Sequence, residues 1–195
     1  MKEIHTTKNI LSWGLVISWL LIMAFAFWWF ELRWYQQVDF QYSDALFDSS
    51  HMLDEQIAGN SDQSAATVVH YYDPKCPCTR FNNEHVLELI TTYQAKGVHF
   101  MVKVPDEAAK RSAQGVFGDV EVQVISASSA PSASPAALVV DAQGLPVYVG
   151  PYSPGAVCTS KSGDFVGLAL DDMLSGKDFK QTVNLANGCF CQWPA

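Results

Sequence analysis

The chain has 195 residues, of which 49% are hydrophobic and only 16% are charged. Twelve Lys and Arg stand against 20 Asp and Glu, a net charge of −8, which excludes the basic footprint that a nucleic-acid binder needs. The length suits one ordinary domain plus an appendage, and the five cysteines, an odd number, cannot all pair within one chain.

The low charge is concentrated at the N-terminus. Residues 10–30 carry no charged side chain. As a helix at about 1.5 Å per residue they would cross roughly 30 Å, the thickness of a bilayer core. Trp28, Trp29, Trp34 and Tyr35 resemble an interfacial aromatic belt, and Lys2 and Lys8 precede the run. The expectation is a cytoplasmic N-terminus over 1–9 and a transmembrane anchor over 10–30. Ala24-Phe25-Ala26 offers a competing reading as a signal cleavage site. The apolar run continues past it, which favours the anchor. The remaining, acidic part of the chain is then expected outside the cytoplasm, where disulfides are permitted.

Residues 31–65 read as a juxtamembrane connector, with a helix over 44–58 from the spacing of Leu46, Leu53 and Ile57. Residues 66–72 are a buried strand that ends at Asp73-Pro74. Residues 79–96 are a helix with Phe81, Val86, Leu89, Ile90 and Tyr93 on one face, stopped by Gly97. A second strand occupies 98–104, and a short helix over 105–114 has acids in its first turn. An extra strand is expected over 120–125. After a small-residue loop, strands over 136–140 and 146–149 flank Asp141-Ala142-Gln143-Gly144 as a hairpin. The last helix spans 164–174, with Phe165, Leu168, Ala169 and Met173 inward. This order predicts an α/β domain over 66–175 with a terminal antiparallel hairpin and flanking helices. Residues 176–195 form a cysteine-containing tail.

The chemistry centres on Cys76. A strand leads into Tyr72-Asp73-Pro74-Lys75-Cys76-Pro77-Cys78-Thr79, and a helix follows. At such a junction the first helical N–H groups point outward unpaired, and their partial positive charge favours thiolate over thiol. Lys75 adds to that field. Pro77 falls in the first turn, where a missing N–H costs little.

These residues resemble the thioredoxin superfamily, in particular membrane-anchored bacterial thiol–disulfide proteins of the TlpA type. The resemblance covers about residues 66–174 and implies a thioredoxin-like core behind one N-terminal transmembrane helix. It places Cys76 at the attacking position. His70 falls where thioredoxins carry a buried acid that handles a proton. Pro135 matches the cis-proline facing the active cysteine, with the backbone before it receiving a substrate strand. Gly150 matches the glycine beside the site. One departure matters: the family pattern is C-x-x-C, whereas this chain has Cys76-Pro77-Cys78, with Thr79 at the usual resolving position. A C-x-C disulfide closes a smaller, more strained ring, and strain makes a disulfide more oxidising. The expected catalytic set is therefore Cys76, Cys78, Pro135 and His70, with Cys78 resolving; the alternative is that Cys76 acts alone or with a distant resolving cysteine.

Three cysteines remain. Cys158 is expected on the active-site side, paired with Cys189 or Cys191 in a structural disulfide that ties down the tail. A second reading assigns Cys76, Cys78, Cys189 and Cys191 as thiolate ligands for Cu(I) or Zn. His85 is expected to be a solvated helix histidine. No cofactor motif is present. The leading expectation is a thiol–disulfide oxidoreductase anchored in a bacterial inner membrane, with its domain in the periplasm. Its partners would be protein thiols or disulfides of the cell envelope and a membrane electron donor. The alternatives are a metal-binding module or metallochaperone, and a non-catalytic thioredoxin-like scaffold.

Overall fold

The computed structural model describes residues 2–30, 35–37, 64–153, 164–177, 187–189 and 191–194. The helix expected over 44–58 and the pairing of Cys158 lie outside these described residues. The chain divides into two units, residues 1–35 and 36–195.

The first unit is one helix, α1 (Lys2–Phe30). Its segment Ser12–Phe30 has a mean hydropathy of 1.9 and is long and apolar enough to cross a membrane. The large apolar side chains from Trp13 to Phe30 are exposed, and Phe25 stacks with Trp29 near its end.

The second unit is built on a five-stranded sheet. In chain order its core runs β1 (Ala66–Tyr71), α2 (Pro77–Gln94), β2 (Val98–Val104), α3 (Glu107–Phe117), β3 (Glu121–Val124), β4 (Ala133–Ser134), β5 (Ala136–Asp141), β6 (Pro146–Gly150) and α4 (Phe165–Leu174). The tail adds β7 (Cys191–Gln192). The sheet order is β3-β2-β1-β5-β6. The first three strands are parallel, and β5 and β6 add antiparallel.

That order decides which face the helices cover. Both parallel crossovers step in the same direction across the sheet, and such crossovers are right-handed, so α2 and α3 fall on one face. Their apolar residues Val86, Leu89, Ala109 and Phe117 join Val166 and Leu170 of α4 in one core over Val68 and Val102. The opposite face of the sheet carries Val69, Tyr71, Met101, Leu138 and Val140, packed with Ala133 and with Trp193 from the tail. β1 is buried on both faces along its whole length, Thr67 and His70 included, which is why it lacks a regular alternation of apolar and polar residues.

Two details of the helices differ from the spacing argument. Phe81, expected inward, is 51% exposed, and the buried stripe of α2 runs instead through Cys78, Asn82, His85, Val86 and Leu89. In α4, Leu168 faces outward, while Val166, Ala169 and Leu170 are buried. A ten-residue helix rich in apolar residues offers two overlapping stripes, and only its docking angle on the sheet selects between them.

Candidate functional site

Cys76 is the N-cap of α2. Its position follows from the turn before it. The Cys76 N–H donates to the Asp73 carbonyl at 3.1 Å, and the Lys75 N–H donates to the Asp73 carboxylate at 3.0 Å. Asp73 is buried, and that burial pushes its carboxyl above its ordinary pKa, partly offset by the Lys75 N–H. Pro77 occupies the first helical turn, as expected. No side chain caps the helix start, so the dipole's positive end is directed at the Cys76 region. The Lys75 ammonium, expected to reinforce that field, is shared with the Asp106 carboxylate at 3.3 Å.

The Ser134–Pro135 peptide bond is cis, at the position the sequence resemblance assigned. It lies between β4 and β5, directly beside Cys76. The Cys76 sulfur is 3.5 Å from the Ser134 carbonyl oxygen, close enough for the free thiol to donate to it. The Ser134 hydroxyl donates to the Tyr71 carbonyl at 3.3 Å and lies 3.5 Å from the Thr79 hydroxyl. Thr79, which replaces the usual second cysteine, is thus buried against the same loop. Gly150 pairs with Ala137 on β5. Its φ is +156°, and a Cβ there would come within 2.8 Å of the Tyr148 hydroxyl, so glycine is required on packing grounds.

His70 is buried on the helix-covered face, with Nδ1 2.7 Å from the Tyr152 hydroxyl and its ring edge-on to Phe117. Burial lowers its pKa to about 3, against a smaller opposing contribution from the Ala136 backbone. It is therefore neutral near pH 7. His85, expected to be solvated, is buried, with Nε2 3.2 Å from Asp164 and its ring edge-on to Tyr152.

The cysteine pairing departs most from expectation. Cys76 is bonded to Cys191, 115 positions away. The leading expectation pairs Cys76 with Cys78 and Cys158 with Cys189 or Cys191; the bond seen instead agrees with the alternative of a distant cysteine for Cys76. The reason lies in backbone pairing. β7 runs antiparallel to β4, with Cys191 opposite Ser134 and Gln192 opposite Ala133. The Trp193 N–H then donates to the Ser132 carbonyl at 2.9 Å. This ladder delivers the Cys191 side chain to the residue beside the Cys76 sulfur. Cys78, two residues into α2, is buried, and the sulfurs of Cys76, Cys78 and Cys191 lie within 4.8 Å of one another. Once reduced, three thiolates so placed would form a soft donor set. In this structure Cys76, Cys78 and Cys191 are all disulfide-bonded, Cys76 to Cys191, so none of the three sulfurs is available as a thiolate.

Sequence reasoning overlooked Tyr152 and Trp193, and reached Ser134 only through the backbone before Pro135. One signal was present: Trp193 is the sole tryptophan outside the N-terminal segment. A large apolar residue two positions after a cysteine, in a polar tail, marks a docking point.

A sheet of this order, a cysteine at the N-cap of the helix after its central strand, and a cis-proline facing that cysteine define a thioredoxin-like protein. The chain belongs to a family described as a domain of unknown function, DUF6436, whose model matches residues 44–193. Among solved structures it is similar to an uncharacterized conserved protein from Geobacillus kaustophilus, with a TM-score of 0.57 and 16% identity over 70% of this chain and 80% of that one. A hypothetical protein from Sinorhizobium meliloti is similar with a TM-score of 0.55 and 18% identity, over 70% and 84% of the two chains. A thiol:disulfide interchange protein of the thioredoxin family from Chlorobium tepidum is similar with a TM-score of 0.45 and 14% identity, over 63% and 85%. No curated protein matches the sequence.

Proposed function

We propose that the domain is a thiol–disulfide oxidoreductase in which Cys76 is the attacking thiol, held outside the cytoplasm by α1 as a membrane anchor. The observation that carries this reading is the Cys76–Cys191 disulfide at an uncapped helix N-terminus, beside Ser134 and Pro135. A helix N-terminus lowers a thiol's pKa and makes it both a better nucleophile and a better leaving group.

The reaction balances as thiol–disulfide exchange. The Cys76 thiolate attacks one sulfur of a partner disulfide and expels the other as thiolate. A second thiolate, from Cys191, or from Cys78 once a dithiol reductant has opened its own disulfide, then attacks the Cys76 sulfur and releases the partner's remaining thiol. Two electrons pass to the partner, two protons follow, and the protein ends as the disulfide. Run backwards, the same steps oxidise a partner dithiol. His70, neutral and bonded to Tyr152, is held as a buried proton-neutral group rather than as an imidazolium. Pro135 shapes the seat beside Cys76.

Turnover of a model dithiol or disulfide by the purified protein tests this reading. Cys76→Ser is expected to abolish it. Of Cys78→Ser and Cys191→Ser, the variant that accumulates a mixed disulfide identifies the resolving cysteine. Full activity of Cys76→Ser would sink the proposal. The proximity of three sulfurs supports one second reading, a Cu(I) or Zn site in the reduced protein. Anaerobic purification under reducing conditions, with metal analysis, separates the two: stoichiometric metal lost on Cys76→Ser would favour binding over exchange.

A further inference from the structure

The tail does more than supply a cysteine. Three consecutive residues each make a different contact with the site. Cys191 bonds to Cys76. Gln192 is exposed and contributes only its backbone to the ladder with Ala133. Trp193 is buried, edge-on to Tyr71 with ring centroids 6.0 Å apart, in the apolar cluster of Val69, Met101 and Leu138. The segment is extended and forms a separate two-stranded ladder with Ala133 and Ser134, directly before Pro135. In such strand pairing, backbone bonds provide affinity and alternate side chains provide selectivity.

Besides the disulfide, residues 191–193 are held by a two-residue ladder, one further backbone hydrogen bond and the burial of Trp193, while the preceding Asn187–Cys189 forms a strand of a separate two-stranded sheet. The Trp193 indole N–H is buried with no hydrogen-bond partner among the described residues, which penalises the docked state. So short a strand is marginal alone.

We propose that residues 191–193 are a tethered stand-in for the substrate, and that the site accepts an extended protein segment of the pattern Cys-polar-aromatic, running antiparallel to Ala133–Ser134. This rests on the reading of Cys76 as the attacking thiol. A dithiol reductant first cleaves the Cys76–Cys191 bond, supplying two electrons and two protons, and the tail leaves. The partner segment takes its place, its cysteine presented to Cys76 and its aromatic side chain lodged against Tyr71. Cys76 attacks the partner's disulfide and expels the distal sulfur as thiolate. The Cys191 thiolate then attacks the Cys76 sulfur, re-forms the bond and displaces the segment. The tail thus competes with the substrate and resets the site.

The test uses the full chain in detergent, reduced, with Cys191→Ser so that the tail cannot relock. Three peptides carrying the cysteine as a mixed disulfide with thionitrobenzoate are compared: Cys-Gln-Trp-Pro, Cys-Gln-Ala-Pro and the reordered Trp-Gln-Cys-Pro. Release of thionitrobenzoate is followed, and the rate of the matching Cys76→Ser protein is subtracted. The first peptide is expected to react about tenfold faster than the other two, equivalent to ~1.4 kcal/mol of selective binding. Adding Trp193→Ala should raise the first peptide's rate further by vacating the pocket. Equal rates for all three peptides would overturn the inference while leaving the redox reading intact. No Cys76-dependent release would overturn both. The same ranking, read as peptide adducts by mass spectrometry on the reduced wild-type chain, makes the result independent of any folding defect in the variant.

Discussion

Cys191 faces Ser134 across an antiparallel ladder while its sulfur is bonded to Cys76, so one residue of the tail contacts both halves of the site. The Cys76 half is a helix start, and the Ser134 half is the loop that enters β5. Neither half is complete in the sense of chemistry without a second sulfur, and the tail brings one.

Reduction of that bond should loosen the fold. A crosslink that closes a loop of 115 positions restricts the unfolded chain, and such bonds typically contribute roughly 2–4 kcal/mol. Chemical denaturation of the second unit with and without a dithiol reductant, and of Cys191→Ser, is expected to show a loss of this size. An unchanged midpoint on reduction would mean that the bond constrains little.

Non-reducing peptide mapping is expected to recover a Cys76–Cys191 crosslink in the oxidised wild type. The same crosslink should persist in Cys78→Ser, because Cys191 is delivered by the β4–β7 ladder and not by Cys78. A Cys76–Cys78 linkage in the wild type would contradict this.

His70 makes stability depend on pH in a defined window. Its folded pKa is about 3, below the ordinary 6.5. The unfolded chain therefore binds a proton that the folded chain refuses, and stability falls as pH drops from about 6.5 toward 3. The limiting slope for one such group is ~1.4 kcal/mol per pH unit. Above pH 6.5 both states are neutral and the effect vanishes. In His70→Leu the slope between pH 6 and pH 4 should be shallower than in the wild type, read by denaturant titration at each pH, roughly a one-group difference. Equal slopes would show that His70 is not held neutral.

Asp106 caps α3 by accepting the Ala109 N–H at 2.7 Å, and this bond holds its carboxyl below the ordinary range. Asp106→Ala is expected to lower stability through the lost cap, read as a lower denaturation midpoint. It also frees the Lys75 ammonium beside the Cys76 turn, so the Cys76 thiol of the reduced protein should become slightly more acidic. The rate of alkylation against pH reads this. An unchanged profile would show that the Lys75–Asp106 pair has no influence on the thiol, and a shift toward higher pH would contradict the prediction.

Much of the site was legible locally. A strand running into Asp73-Pro74-Lys75-Cys76-Pro77 specifies a turn and a helix start, because each of those residues restricts its own backbone. Pro135 was identifiable because the strand after it was readable from its apolar run. Helix faces were less legible: Phe81 and Leu168 sit at the right spacing yet face outward, since packing angle rather than period selects among overlapping stripes. His85 was misjudged for the same reason, its side chain turned under Tyr152 by the docking of α2.

The sequence by itself determined the N-terminal helix with its uncharged run over 10–30, the α/β order and the placement of Cys76 at a helix N-terminus. Those depend on neighbours within a few residues, whose sterics and hydrogen bonding are written in composition and spacing. The partner of Cys76 was decided only by tertiary structure. Cys78 is nearest in sequence, and Cys158, Cys189 and Cys191 are all within reach of a flexible chain. What selects Cys191 is the pairing of two short strands, β4 and β7, and the burial of Trp193 against Tyr71. Those contacts join residues about sixty to 120 apart, through sheet edges and a pocket that exist only once the chain has folded.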